Sequence, residues 1–345
     1  MIKSICLVRL SALGDVLMCV PLLRTLQHHF PEAQITWVIS KPAYDLVEGM
    51  AGVEFVVIDK PSSLPDYLRF RQAFRTRRFD VLLALQASLR ANLLYPLIRA
   101  SRKIGYGGAR AKDAHRLFVR ETTSLGACHT LESFLNFAVP LGVTQPVLRW
   151  DMPLSDADEA WAHERLAHLR GPVLVVNPAA SKSERTWALD RYIEVIQFAQ
   201  ATLGFSVVLT GGPGPYDKII GEHLVAALPS VTNLIGQTRP KTLMAVIKHA
   251  TLVLCPDTGP AHMAVAVGTP VIALHAVTNV AISGPYTHQA DAVNAYPLAL
   301  LTRLGKTIDT CRWGTQVHGD DVMNFVTVEA VKAKLIEMKS HQELQ

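Results

Sequence analysis

A chain of 345 residues with 49% hydrophobic and 18% charged residues holds more apolar material than one core needs, and two domains are expected. Its five cysteines, Cys6, Cys19, Cys128, Cys255 and Cys311, are scattered, odd in number and never spaced Cys-x-x-Cys, which argues against a disulfide framework and against a zinc or iron–sulfur centre. The net charge of +5 conceals an asymmetry: residues 60–120 carry fourteen Lys/Arg against three Asp, a local net of +11, so the first half is expected to meet an anionic partner. Nucleic acid is not expected, because no zinc-finger spacing, RNP-type aromatic strand or helix-turn-helix pattern accompanies the charge.

In chain order, residues 4–10 read as a buried strand. The stretch "LVRLSALGDVLMCVPLL" then enters a helix whose apolar face is Val16, Val20, Leu23 and Leu26. Asp15 thus sits at a strand-to-helix turn, with Gly14 allowing the tight backbone; there an acid serves either as a helix cap or as a reactive carboxylate. Further strands are predicted at 34–39, 55–58 and 81–85, with helices between them, the alternation of a parallel sheet covered on both faces. "RFRQAFRTRRFD" places Arg71, Arg75 and Arg78 at helical spacing beside Phe70, Phe74 and Phe79, as a solvated face or as an anion grip. The longest apolar run, 81–100, contains Gln86, Arg90 and Arg99, and no membrane-spanning helix is predicted. The N-terminus lacks a secretory core, so a cytoplasmic protein is expected.

Residues 145–153, "QPVLRWDMP", read as an extended linker, which divides the chain into domains 1–150 and 151–345. The second half repeats the alternation, with strands at 173–176, 206–210, 252–255 and 271–274, and helices at 190–203, 216–227, 240–249 and 258–267. A terminal amphipathic helix at 327–339 carries Val328, Val331, Leu335 and Met338 on one stripe, and is given the option of packing back on the first lobe. Two such α/β lobes leave a cleft at the carboxyl ends of their strands.

Three turns of the second half suit a diphosphate. In "LCPDTGPAHMAVAVGTPVIALHAVTN" a strand ends, Asp257 makes the turn, and Thr258, Gly259 and Pro260 open a helix whose first N–H groups lack internal partners. "NPAASKSERTW" supplies Ser181, Lys182 and Arg185, and "TGGPGPYD" supplies backbone N–H groups without shielding side chains. Each is also compatible with an ordinary turn, and Asp257 with an ordinary cap.

The combination of "LVRLSALGDVLMCVPLLRTL", "FDVLLALQASLRANLL", "SRKIGYGG" and "PDTGPAHMAVAVGTPVIALHAVTN" resembles the lipopolysaccharide heptosyltransferases of glycosyltransferase family 9, over nearly the whole chain. The resemblance implies an α/β GT-B fold of two Rossmann-like lobes facing across a cleft. It implies an ADP-heptose donor in the second lobe and an anionic lipid A/Kdo core acceptor in the first, with inverting transfer. Asp15 matches the family's catalytic base, Thr258, Gly259 and Pro260 match its diphosphate contacts, and His262 matches the histidine that follows them. Arg185 stands where the family usually carries Lys, with Lys182 nearby as a replacement. Acceptor contacts are assigned to Arg69, Arg71, Arg75, Arg78, Arg110, Lys112 and His129, with His115 as a further candidate; a lone histidine such as His129 equally suits a structural role. No obligatory cofactor or metal is expected, with Mg²⁺ only as assistance to the diphosphate, and the enzyme is expected to touch the cytoplasmic face of the inner membrane transiently. The alternatives are another nucleotide-sugar transferase or epimerase, and a non-catalytic sugar-nucleotide or glycolipid binding protein.

Overall fold

The computed structural model describes residues 1–123 and 128–343, and it forms two compact units, Met1–Pro153 and Leu154–Gln345. In the first, strands β1 (Ser4–Val8), β2 (Gln34–Ser40), β3 (Glu54–Ile58), β4 (Arg78–Ala84), β5 (Arg99–Tyr106) and β6 (Glu121–Thr123) make one parallel sheet in the order β3-β2-β1-β4-β5-β6. Its helices are α1 (Leu13–His29), α2 (Lys41–Val47), α3 (Leu64–Phe74), α4 (Leu89–Asn92) and α5 (Thr130–Leu135). The "ICLV" of β1 and the "VLLA" of β4 are buried on both faces, which makes them the central strands of a sheet covered on both sides. Strand order reverses between them, the point at which such sheets bind ligands beyond their carboxyl ends.

Two elements depart from the expected pattern. Arg78 is the first residue of β4 because α3 ends at Phe74, so it does not share a helical face with Arg71 and Arg75. Strands β5 and β6 were not legible as strands, since "RASRKIGY" alternates charge with small residues on the way to the sheet's edge. Gly105 within β5 has a packing reason. A Cβ there would lie 2.4 Å from His115 Nε2 and 2.8 Å from Val119.

The segment expected to be a linker is instead a strap on α1. Trp150 is buried and its Nε1 donates to Leu17 O at 2.9 Å, Val147 N donates to Thr25 Oγ1 at 2.9 Å, and Arg24 Nη2 donates to Asp151 O at 2.7 Å. These anchors carry the first unit through Pro153.

The second unit repeats the topology. Strands β7 (Val173–Val176), β8 (Ser206–Leu209), β9 (Thr232–Asn233), β10 (Leu252–Pro256), β11 (Val271–His275) and β12 (Val293–Asn294) form a parallel sheet in the order β12-β11-β10-β7-β8-β9. The helices are α6 (Asp156–Leu166), α7 (Leu189–Ala201), α8 (Pro215–Ala227), α9 (Pro240–Lys248), α10 (Gly259–Val267), α11 (Val280–Ser283), α12 (Tyr296–Leu304) and α13 (Val328–Glu343). The stripe Val328, Val331, Leu335 and Met338 of α13 is buried in the core of this unit with Tyr192 and Val195 of α7, and Lys332 Nζ reaches Glu194 at 2.7 Å. The terminal helix therefore belongs to the second unit. Among the described residues no helix is long and apolar enough to cross a membrane.

Candidate active site

In the first unit Asp15 lies in the first turn of α1, just beyond the carboxyl end of β1. Its Oδ2 accepts from Ala12 N at 3.2 Å and from the guanidinium of Arg9, which comes from the loop between β1 and α1. Oδ1 takes no hydrogen bond among the described residues, and the side chain is 29% exposed. Arg9 is itself fastened across the strand-order reversal: its Nη1 donates to Leu85 O, just past β4, at 2.8 Å, and its guanidinium lies 5.3 Å from the centre of the Phe134 ring. Burial works against the Arg9 charge, and Asp15, Tyr106 and Cys19 together outweigh it, so its pKa lies above the usual arginine value. Leu10 N donates to Gln86 Oε1 at 2.9 Å, tying the same two strand ends together. The sequence signal for Arg9 was present but unused: it is the one charge in "SICLVRLSAL".

The acceptor candidates separate. Arg110 is near this site: burial lowers its pKa, while Tyr106, Cys128 and Asp15 pull it the other way, and its Nη2 donates to Cys128 O at 3.0 Å. Lys112 is exposed on the same loop. His129 is buried and caps α5, its Nδ1 accepting from Leu131 N at 3.1 Å. His115 is a core residue. It bonds Asn92 Oδ1 at 2.7 Å and accepts from Tyr106 N at 3.0 Å, and burial lowers its pKa to about 4, so it is neutral at pH 7. Arg69 pairs with Asp66, and Arg71 and Arg75 are exposed on the outer side of α3. Arg78 opens a seven-residue strand whose other end is level with β1's end, about 20 Å from it at about 3.3 Å per residue. It therefore stands at the edge opposite Asp15, lining with Arg99, Lys103 and Arg120 a basic cavity of about 540 Å³.

In the second unit the loops after β7, β10 and β11 interlock at the carboxyl edge. Asp257, just past β10, is buried, and its Oδ2 accepts from Thr278 Oγ1 at 2.8 Å, from Ser283 Oγ at 3.3 Å and from Arg185 Nη1 at 3.2 Å. Arg185 Nη1 also donates to Asp257 O at 3.1 Å, and its Nη2 donates to Ser181 Oγ at 3.0 Å. Burial opposes the Asp257 charge; His275, His262 and Arg185 outweigh it, and its pKa lies below the ordinary carboxylate range. Asp257 is thus bonded from three sides within the turn. Thr278, Ser283 and His275 were missed. They lie 18 or more residues further along the chain from Asp257, and only the fold brings them to it.

Thr258 precedes α10 with extended backbone, and Gly259 and Pro260 begin the helix, so the Gly259 N–H at this partly exposed start has no helical partner. His262 is buried one turn in. Of the two cations weighed for the missing Lys, Arg185 sits on this turn, with its side chain 18% exposed. Lys182 is 52% exposed and faces Glu184 and Gln316 instead. The "TGGPGPYD" turn is less open than expected: Gly212 N donates to Asp217 Oδ1 at 2.8 Å, so its own carboxylate takes an N–H meant for phosphate.

Among the described residues one group offers ligand types at metal-binding spacing. The group of Glu159, His163 and His249 brings its ligand atoms within 4.8 Å of one another. It offers two nitrogens to one oxygen, a set for a transition-type ion rather than Mg²⁺, and Lys248 Nζ already holds Glu159 at 2.6 Å. His249 caps the end of α9, three residues before β10 begins, which puts the group at the edge opposite the turns.

Two doubly wound α/β units, one presenting a half-free carboxylate and the other an arginine-braced helix start, have the parts of a two-domain transferase of nucleotide sugars. A sequence model of glycosyltransferase family 9 (heptosyltransferase) matches residues 67–306. The chain is 31% identical over 331 residues to the lipopolysaccharide core heptosyltransferase OpsX of Haemophilus influenzae, covering 95% of each. A family 9 glycosyltransferase from Veillonella parvula shares the fold with a TM-score of 0.80 at 21% identity, over 98% of this chain and 97% of that one. E. coli heptosyltransferase WaaC with ADP-2-deoxy-2-fluoro heptose does so at 0.70 and 21%, over 97% and 99%. The chain belongs to glycosyltransferase family 9, the heptosyltransferases, and is an enzyme of group transfer.

Proposed function

We propose that this enzyme moves heptose from ADP-heptose onto the inner core of lipopolysaccharide, with inversion at the anomeric carbon and Asp15 as general base. The observation that carries the base assignment is the divided carboxylate of Asp15: Oδ2 is held by Arg9 and Ala12 N, and among the described residues nothing donates to Oδ1. In the proposed step Oδ1 takes the proton of an acceptor hydroxyl as that oxygen attacks the anomeric carbon of the donor. The bond from that carbon to the diphosphate breaks, and its electron pair leaves on ADP. The start of α10 and Arg185 stabilise the charge that grows on the diphosphate, without a proton donor. The donor class is supported by the family and by the ADP-heptose analogue bound to the E. coli relative; the acceptor class is supported by the name of the Haemophilus relative. Arg110 and Lys112, on the Asp15 side of the sheet, are the proposed acceptor cations.

The test is ADP release from ADP-heptose with Kdo₂-lipid A or a heptosylated core offered separately, with the anomeric configuration of the product read by NMR. Release that depends on one acceptor, with an inverted product, supports the reading and names the step. Release with neither acceptor, or a retained configuration, contradicts it.

A further inference from the structure

A second convergence of side chains lies away from the donor turns. Glu159 and His163, four residues apart, share one face of α6, and His249 closes the carboxyl end of α9 against that face. His249 Nε2 meets Glu159 Oε2 at 2.5 Å, and the rings of His163 and His249 lie 4.2 Å apart, centre to centre. One ligand atom from each of the three falls within 4.8 Å of the others. None of the three is a cysteine, so the cysteine spacing that argues against a zinc centre does not bear on this group.

Three basic side chains gather here on one carboxylate. Lys248 Nζ takes Glu159 Oε1 at 2.6 Å and His249 takes Oε2, while among the described residues neither nitrogen of the His163 ring has a hydrogen-bond partner. By contrast, His288 with Asp291 and His318 with Glu184 each bring one ring to one carboxylate. Two imidazole nitrogens and one carboxylate oxygen make three corners of a tetrahedron, with the fourth left to water. That is a ligand set for zinc, rather than for square-planar copper or nickel or for oxygen-seeking magnesium. At bond lengths of about 2.0–2.1 Å the ligand atoms stand about 3.3 Å apart; His163, exposed on α6, closes the remaining distance by turning its side chain. The ion takes the place of the proton between His249 and Glu159, which is released to water. Lys248, on the other oxygen, keeps Oε2 turned toward the ion, the kind of outer contact that orients a ligand.

We propose that Glu159, His163 and His249 bind one Zn²⁺ that clasps α6 to the end of α9. The helix α6 is the first of the second unit, and Arg239, at the start of α9, reaches its Asp158 at 2.6 Å. The ion is thus a second fastening between the same two helices. It sits at the edge opposite the donor turns, steadies the unit and takes no part in group transfer, so the inference does not depend on the proposed function.

The test is calorimetric titration of the full chain, stripped with a chelator, with Zn²⁺ alone, alongside melting with and without the ion. One ion per chain is expected, with a melting temperature that rises with zinc concentration. His163→Gln, at an exposed position outside the core, is expected to weaken binding at least about 100-fold, since losing a ligand costs no less than losing a partner that orients one, and to abolish the rise. His249→Gln is expected to do the same, and His288→Gln to bind as wild type. The Co²⁺-loaded protein is expected to show visible d–d absorption without the thiolate charge-transfer band that binding at the partly exposed Cys128 or Cys311 would give. Absence of stoichiometric binding, unchanged affinity in His163→Gln, an equal loss in His288→Gln, or a thiolate band overturns the proposal. Titration of the same variants with ADP is expected to match wild type, which keeps the fate of the zinc site separate from that of the transferase reading.

Discussion

Each unit fastens its strand-order reversal with an arginine and an aspartate, and the two pairs differ in what is left over. In the second unit Asp257 is 9% exposed and its Oδ2 accepts from Arg185, Thr278 and Ser283. In the first, Asp15 is 29% exposed and, among the described residues, only Oδ2 takes hydrogen bonds. The same residue pair thus gives a closed turn in one place and, under the proposed function, a proton acceptor in the other. The difference lies in the neighbours: hydroxyls from the loop after β11 close over Asp257, and the described residues offer no such hydroxyl to Asp15.

That contrast can be broken by mutation. Asp257→Ala is expected to destabilise the protein by about 3 kcal/mol, since it strands Arg185 in a half-buried site, and to weaken donor binding with it; chemical denaturation and calorimetric titration with ADP check this. A loss of turnover without loss of stability would reverse the roles assigned to the two acids.

The units should also part company in acid. His115 binds its proton only near pH 4 in the folded first unit, whereas in the unfolded chain it does so near pH 6.5. Between those values the unfolded state holds the extra proton, so stability falls as pH falls, by about 3 kcal/mol in total. The Asp257 contribution has the depressed-carboxylate sign: it is fully present above the ordinary carboxylate range and is lost only as pH drops below it. Denaturation midpoints from pH 7 to 4 are expected to slope downward in wild type and to flatten in His115→Gln, a smaller slope than wild type being the decisive sign.

Smaller effects sharpen the comparison. Arg185→Lys keeps a charge but loses the fork that reaches both Asp257 and Ser181, so kcat should fall about 10-fold, with the KM for donor rising as well. Arg9→Lys should lower kcat by a few-fold and leave donor KM alone, because only the aim of Asp15 is altered; steady-state kinetics on both variants tests the pair.

Much of this was legible in the residues. The central strands announced themselves as uninterrupted apolar runs, and Gly14-Asp15 and Asp257-Thr258-Gly259-Pro260 marked the two turns because turn chemistry is local. What was not legible depended on distance in the chain. Arg78 looked helical because its spacing from Arg75 suits a helix, yet the sheet needed it as a strand start. His129 and His115 looked available until burial and hydrogen bonding claimed them. The shell around Asp257 comes from residues 181 to 283, and no local pattern joins them.

The most direct measurement is turnover and donor binding of Asp15→Asn in parallel, with ADP release as the rate and titration with ADP as the binding. Asparagine keeps a side-chain oxygen that can accept from Ala12 N and Arg9 as Asp15 Oδ2 does, and it removes the carboxylate. The account predicts an about 10³-fold fall in turnover with donor affinity and melting temperature near wild type. Turnover close to wild type would reduce Asp15 to a cap and contradict the mechanism.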